Sequence, residues 1–277
     1  ESNYVVGGKG INISLLLKNI GKESKALGFV AGFTGDFIKE ELTKQGIKSN
    51  FIETEGFTRI NIKLTTDTET EINSQSSKVN RTNILDFFSS LDELTSEDTV
   101  FLSGNIIPGM EDDDFVHIAK KVKEQGANLV VDSNKDMVLH TLKYHPFIVK
   151  PNEFELGEMF DVHLQSLEDI AIYAKKLQEM GAQNVLVSRG SKGAILFTHS
   201  GEIFSANIAK GKVVSTIAAG DSMLAMFVAK YDETNDFPLS LQYASAAGGA
   251  TSFSAGVGKQ ELINELLVQI NVEKISL

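Results

Sequence analysis

Apolar positions along this chain switch repeatedly between a helical period and the short continuous or alternating runs of strands. Residues 11–20 carry the helical spacing and stop at Gly21, and residues 26–30 read as a strand. Residues 36–45 predict a second helix, with Asp36 as N-cap and Gly46 as stop. The rhythm continues as strand 99–102, helix 112–124, strands 128–132 and 147–150, helix 167–180 and strand 184–188. Strands separated by helices of this length imply βαβ units, and so an α/β chain with a mainly parallel sheet. From Gly220 onward the spacing is helical, over 222–231, 239–253 and 260–270.

Two regions break the rhythm. Between Asn50 and Asn73 lie three short β-like runs, 51–53, 59–65 and 69–73, with no helix between them. Alternation from Arg59 to Leu64 suggests a half-buried strand, and the region reads as a small β flap beside the main sheet. Residues 194–206 read as a hairpin around His199-Ser200-Gly201. The expected division is a main α/β unit over 7–48 and 76–277 and a β lid over 1–6 and 49–75.

Composition narrows the function classes. The 277 residues are 42% hydrophobic and 23% charged, which suits a folded domain and argues against disorder. The net charge of −11 has no basic stripe to offset it, so nucleic acid is set aside as a partner. No cysteine is present, which removes disulfides, thiolate metal sites and thiol catalysis and fits a cytoplasmic protein. No apolar run approaches the length of a membrane span, and no signal peptide is visible. The five histidines are scattered without ligand spacing. Glu111-Asp112-Asp113-Asp114, after Pro108-Gly109, reads as the acidic first turn of a helix.

Five stretches can carry chemistry. In Gly7-Gly8-Lys9-Gly10-Ile11-Asn12, glycines at a helix start let backbone N–H groups approach an anion, Lys9 adds positive charge and Asn12 can both donate and accept. This is not a Walker A loop, and it can equally be a glycine-rich turn. In Ala218-Ala219-Gly220-Asp221-Ser222, small residues at a helix N-terminus expose N–H donors and Asp221 can accept a proton, or Asp221 is an ordinary cap. Lys150-Pro151-Asn152-Glu153-Phe154-Glu155 follows a strand; Asn152 and Glu155 are hard oxygen donors suited to Mg²⁺, or the two halves of a capping box. Ser188-Arg189-Gly190-Ser191-Lys192-Gly193 can wrap phosphates or form a plain turn. Arg59 can clamp a phosphate or guard a strand edge.

The ordered set of these stretches resembles the phosphofructokinase B branch of the ribokinase-like superfamily over nearly the whole chain. Gly32-Phe33-Thr34-Gly35-Asp36, Thr58-Arg59-Ile60-Asn61 and Glu69-Thr70-Glu71-Ile72-Asn73 strengthen the likeness. The resemblance implies a three-layer α/β/α fold with a small β lid, ATP and Mg²⁺ as cofactors, and transfer of phosphate to the 6-hydroxyl of fructose 1-phosphate. Tagatose 6-phosphate is the alternative substrate, and a sugar-phosphate or nucleotide sensor the alternative class. Asp221 would be the catalytic base, with Ala219 and Gly220 as the anion hole. Gly8, Lys9, Gly10 and Asn12 would hold the ketose and Arg59 its phosphate. Lys150, Ser188, Gly190, Gly193 and Gly220 would lie along ATP, and Asn152 and Glu155 would organise Mg²⁺. A homodimer paired through the lids is implied too, as are a first strand and a sugar-binding Asp ahead of Glu1. Ala218 stands where the family has Gly, and its methyl is expected to favour φ < 0 and tighten the phosphate pocket.

Overall fold

The computed structural model describes residues 4–65 and 69–277; of the expected lid, residues 1–3 and 66–68 lie outside the described residues. The chain opens with helix α1 (Lys9–Asn19), strand β1 (Lys25–Ala31), helix α2 (Gly32–Lys44) and strands β2 (Lys48–Thr54), β3 (Asn61–Thr65) and β4 (Glu69–Asn73). Helix α3 (Arg81–Ser89), strand β5 (Thr99–Gly104), helix α4 (Asp112–Glu124), strand β6 (Asn128–Ser133) and helix α5 (Lys135–Thr141) follow. Then come β7 (Ile148–Val149), α6 (Glu153–Met159), α7 (Leu167–Glu179), β8 (Asn184–Ser188), β9 (Ala194–Phe197) and β10 (Ile203–Ala206). Helices α8 (Ala219–Thr234), α9 (Phe237–Ser252) and α10 (Gln260–Leu267) and strand β11 (Val272–Ile275) complete the order.

A seven-stranded sheet runs in the order β11-β10-β9-β8-β7-β6-β5. It is mixed: β5 to β8 pair in parallel, whereas β9, β10 and β11 pair antiparallel. The antiparallel half follows from the hairpin at 198–202, since a short turn can join only antiparallel neighbours. Successive side chains face opposite layers. Leu129, Val131, Val149, Val185, Val187, Ile195 and Phe197 face one core with α4, α5 and α7, and Val130, Ile148, Leu186 and Leu196 face the other with α1, α8 and α9. Strands buried on both faces read as continuous apolar runs, which is why 128–132 and 184–188 stand out in the sequence.

Several expectations shift. Helix α2 begins at Gly32 and not at Asp36, so Asp36 lies inside the helix and pairs with Lys39. The helix starts early because Thr34 Oγ1 donates to the Thr58 carbonyl at 2.8 Å, a tertiary bond with no local signal. The run 51–53, read as part of the flap, belongs to β2 and pairs in parallel with β1. The flap hairpin itself, β3 with β4, forms a separate two-stranded antiparallel sheet. The acidic turn at 111–114 is a helix start, closed by a Glu111–Asp114 capping box. Helices α3 and α5, capped by Asn80 and Asn134, and strand β11 were not expected from periodicity.

Helices α8 and α9 pack against each other, with α1 against α8. Phe227, in the middle of α8, is fully buried. Phe227→Ala is expected to destabilise the fold by about 3–5 kcal/mol, read from the midpoint of denaturant unfolding.

Candidate active site

The strands of the parallel half end at one edge of the sheet, and the candidate residues gather there. Strand β6 ends in Asp132 and Ser133, β7 runs directly into Lys150, and β8 ends at Ser188. The C-terminal edge of a parallel sheet is where open α/β folds place ligands, because crossover connections splay apart there.

Two helix N-termini converge on this edge. Gly8 caps α1 at φ 112°, a left-handed conformation that suits glycine, so Lys9 and Gly10 fall in the first helical turn. Helix α8 begins at Ala219, placing Ala219, Gly220 and Asp221 in its first turn, where N–H groups lack intrahelical acceptors. Asn12 Nδ2 donates to Asp221 Oδ2 at 2.7 Å and joins the two helices. Burial raises the pKa of Asp221 above the ordinary carboxylate value; the Asn12 bond opposes this, nearby Asp132 adds to it, and Lys9 and Lys150 pull it back.

Asp132, which sequence reasoning missed, sits at the centre. It is only 2% exposed, and Lys9 Nζ donates to its Oδ1 at 2.6 Å. Lys150 Nζ lies 3.7 Å from Oδ2, and among the described residues that oxygen has no hydrogen-bond partner. Burial lowers the pKa of Lys9, but the Asp132 charge and hydrogen bond, with Asp221 and Glu155 beyond, outweigh it, so the net shift is upward. The ammonium of buried Lys150 also rests against the start of α8, since a Cβ built on Gly220 would lie 3.0 Å from Nζ. A carboxylate ending an otherwise apolar strand was the available signal.

Asn152 and Glu155 realise the capping box: Glu155 N donates to Asn152 Oδ1 and Asn152 N to Glu155 Oε2, both at 2.8 Å. That arrangement occupies one Glu155 oxygen and leaves Oε1 over. Ser188 lies beside Asn152 through a parallel bridge, and Ser188 N donates to the Pro151 carbonyl at 3.0 Å, so the two loops are neighbours. Gly190 has φ 54°, and Gly193 has φ 90° with the Ala206 carbonyl only 2.0 Å from where a Cβ would stand. Arg189 Nε donates to Glu153 Oε1 at 2.7 Å across the same loops.

The structure therefore brings together Lys9, Asn12, Asp221, Gly220 and Lys150 through contacts, with Asn152, Glu155 and Ser188 along the same edge. Arg59 is exposed, just ahead of β3; its neighbour Thr58 is bonded to Ala31 at the end of β1, and no described contact joins Arg59 to the cluster. Ala218 keeps φ 62°, so the expectation that its methyl would impose φ < 0 is corrected: the backbone takes the left-handed conformation in spite of the side chain.

The fold that carries this site is ribokinase-like. The pfkB family of carbohydrate kinases matches residues 1–262, and the chain belongs to that family. It is thus a phosphotransferase with an alcohol group as acceptor. It is 40% identical to 1-phosphofructokinase of Bacillus subtilis, over 97% of this chain and 88% of that one. It is 37% identical to D-tagatose-1-phosphate kinase of Bacillus licheniformis, over 98% of this chain and 90% of the relative. A Staphylococcus aureus protein assigned as a phosphofructokinase superposes with a TM-score of 0.87 at 38% identity, covering 98% of this chain and 88% of that structure.

Two glycine-type positions make opposite predictions. Gly193→Ala is expected to destabilise the protein by more than about 1 kcal/mol, because the methyl meets the Ala206 carbonyl and φ is positive. Ala218→Gly is expected to raise stability by about 1 kcal/mol, by relieving a left-handed alanine. Paired unfolding curves check both.

Proposed function

We propose that this chain transfers the γ-phosphate of ATP to the 6-hydroxyl of fructose 1-phosphate, giving fructose 1,6-bisphosphate and ADP. The observation that carries the reading is Asp221: a buried carboxylate, held by Asn12, in the first turn of α8 beside Gly220 and the Lys150 ammonium. In this reading Asp221 accepts the proton of the 6-hydroxyl as its oxygen bonds to the γ-phosphorus. The bond from that phosphorus to the bridging oxygen breaks, and ADP leaves. The N–H group of Gly220, with Lys150, faces the negative charge on the migrating group, joined by the Ala219 N–H, which makes only a long 3.4 Å bond to the Thr216 carbonyl. Lys9 and Asn12 orient the ketose, and Ser188, Gly190 and Gly193 border the nucleotide.

Mg²⁺ fits this donor set. Among the described residues no three carboxylate or imidazole side chains cluster as a protein-only metal cage, and Glu155 Oε1 has no hydrogen bond, so the fit is to an ion that takes one or two carboxylates together with waters and substrate phosphates, as Mg²⁺ commonly does. Bound there, the ion would neutralise phosphate charge; Glu155, with Asn152 setting its rotamer, would hold it through water.

The β3–β4 hairpin serves as the lid in this reading, and its closure would bring Arg59 to the sugar phosphate and exclude water. Ile62 and Ile72 are cross-strand partners with exposed side chains on one hairpin face, flanked by exposed Ile60, which supports pairing of two copies through the lids. The names of the tagatose relatives place the existing phosphate on C1, so tagatose 1-phosphate replaces tagatose 6-phosphate as the rival substrate.

ADP release with MgATP is expected with fructose 1-phosphate ahead of tagatose 1-phosphate. Asp221→Asn is expected to lower kcat by at least about 100-fold without loss of thermal stability, since it removes a buried charge. Stabilisation by ATP without ADP release would point to a sensor instead. The pH profile gives a second check. Asp221 must be ionised to accept a proton and its pKa is raised, so kcat is expected to fall on acidification at a higher pH than an ordinary carboxylate would give. Asn12→Ala, which removes a bond favouring the ionised form, should move that acid limb further upward.

A further inference from the structure

We propose that Asp132 is the positioning residue of this site: it holds the Lys9 and Lys150 ammonium groups at one fixed spacing, and so ties the sugar side of the transfer centre to its nucleotide side. The inference rests on the kinase reading for what the two lysines bind, and on geometry for the rest. Asp132 lies on β6 between two parallel neighbours, aligned with Ser103 of β5 and one residue beyond the Val131–Val149 pair with β7. The next residue, Ser133, is pinned by donating from Oγ to the Gly104 carbonyl. The carboxylate therefore projects from a sheet strand, a more rigid mount than a loop.

Both lysines depend on it. Among the described residues Lys9 and Lys150 each have one ion-pair partner, and in both cases it is Asp132. They come from distant parts of the chain, Lys9 from the first turn of α1 and Lys150 from the end of β7. Two ammonium groups on long flexible stems would otherwise repel each other and sample many rotamers. Oδ1 takes a full hydrogen bond from Lys9, whereas Oδ2 is buried without a donor among the described residues and has Lys150 just outside hydrogen-bond range. Lys150 is thus restrained by Asp132 on one side while its ammonium stays beside Gly220, where the reading places a phosphoryl group. Asp132 already engages Lys9 as an acceptor, and Asp221 is the carboxylate held by Asn12, which divides the labour between positioning and proton transfer.

The test is Asp132→Asn, with steady-state kinetics and with limiting acetic anhydride labelling of Lys9 in the ligand-free protein, read by mass spectrometry. The expected result is a lowered melting temperature, because buried Lys150 loses its counter-charge, with a kcat about 10- to 100-fold lower, a raised KM for both ATP and fructose 1-phosphate, and severalfold faster labelling of Lys9 while the protein is still folded. Wild-type kcat and KM values, or unchanged labelling, would overturn the proposal. So would recovery of kcat at high Mg²⁺, which would make Asp132 a metal ligand. If the wild-type protein releases no ADP with any ketose phosphate, the kinase reading fails by itself, and the labelling still decides whether Asp132 holds Lys9. Should Asp132→Asn fail to fold, Asp132→Glu keeps the charge but shifts it; protected Lys9 with lowered kcat supports a fixed spacing, and wild-type kinetics refute it.

Discussion

Two carboxylates, Asp132 at 2% and Asp221 at 8% exposure, are buried near one another at the heart of this molecule, and the surrounding architecture is arranged to tolerate them. A buried charge left unpaired is costly, and two of the same sign are worse. The fold offsets them with two cations, Lys9 and Lys150, with the Asn12 amide, and with the N-termini of α1 and α8. The compensation requires segments 209 residues apart to meet, since Asn12 reaches Asp221 only when α1 lies against α8. The α8–α9 pair, packed on the apolar face of β6 to β9, is what fixes α8 in that place. Core packing and site electrostatics are therefore one requirement: displacing α8 would leave Asp221 without its amide and carry its charge away from Lys9 and Lys150.

Legibility in the sequence followed the range of the interactions involved. Buried strands and long amphipathic helices announce themselves locally, so 112–124, 128–132, 167–180 and 184–188 were readable. Helix α2 was misplaced by four residues because its first turn is held by Thr34 reaching Thr58, a contact invisible along the chain. Strand β2 was assigned to the flap because parallel pairing with β1 leaves no turn signal. In the candidate site, Gly8, Lys9, Asn12, Gly220 and Asp221 lie in glycine-rich helix starts, a pattern with local chemistry. Asp132 has no such company. Its meaning comes from the two lysines that the topology delivers to it, and neither is near it in sequence.

Gly193 and Ala218 show how the same backbone demand can be met with and without glycine. At Gly193 a left-handed φ coincides with a carbonyl in the space a Cβ would need, so only glycine fits. At Ala218 the left-handed φ of 62° is accepted by an alanine, at a cost of roughly 1–2 kcal/mol. Such strain persists only where surrounding structure over-determines it. Here residues 221–229 of α8 are buried without interruption, and Ser222 N closes back on the Ala218 carbonyl at 2.8 Å, so the helix dictates the backbone at its own start. Relaxing Ala218 to negative φ would redirect the Ala219 and Gly220 N–H groups at the start of α8. The strain sits where the directions of those donors are set, which is consistent with a helix terminus shaped for an anion more than for its own stability.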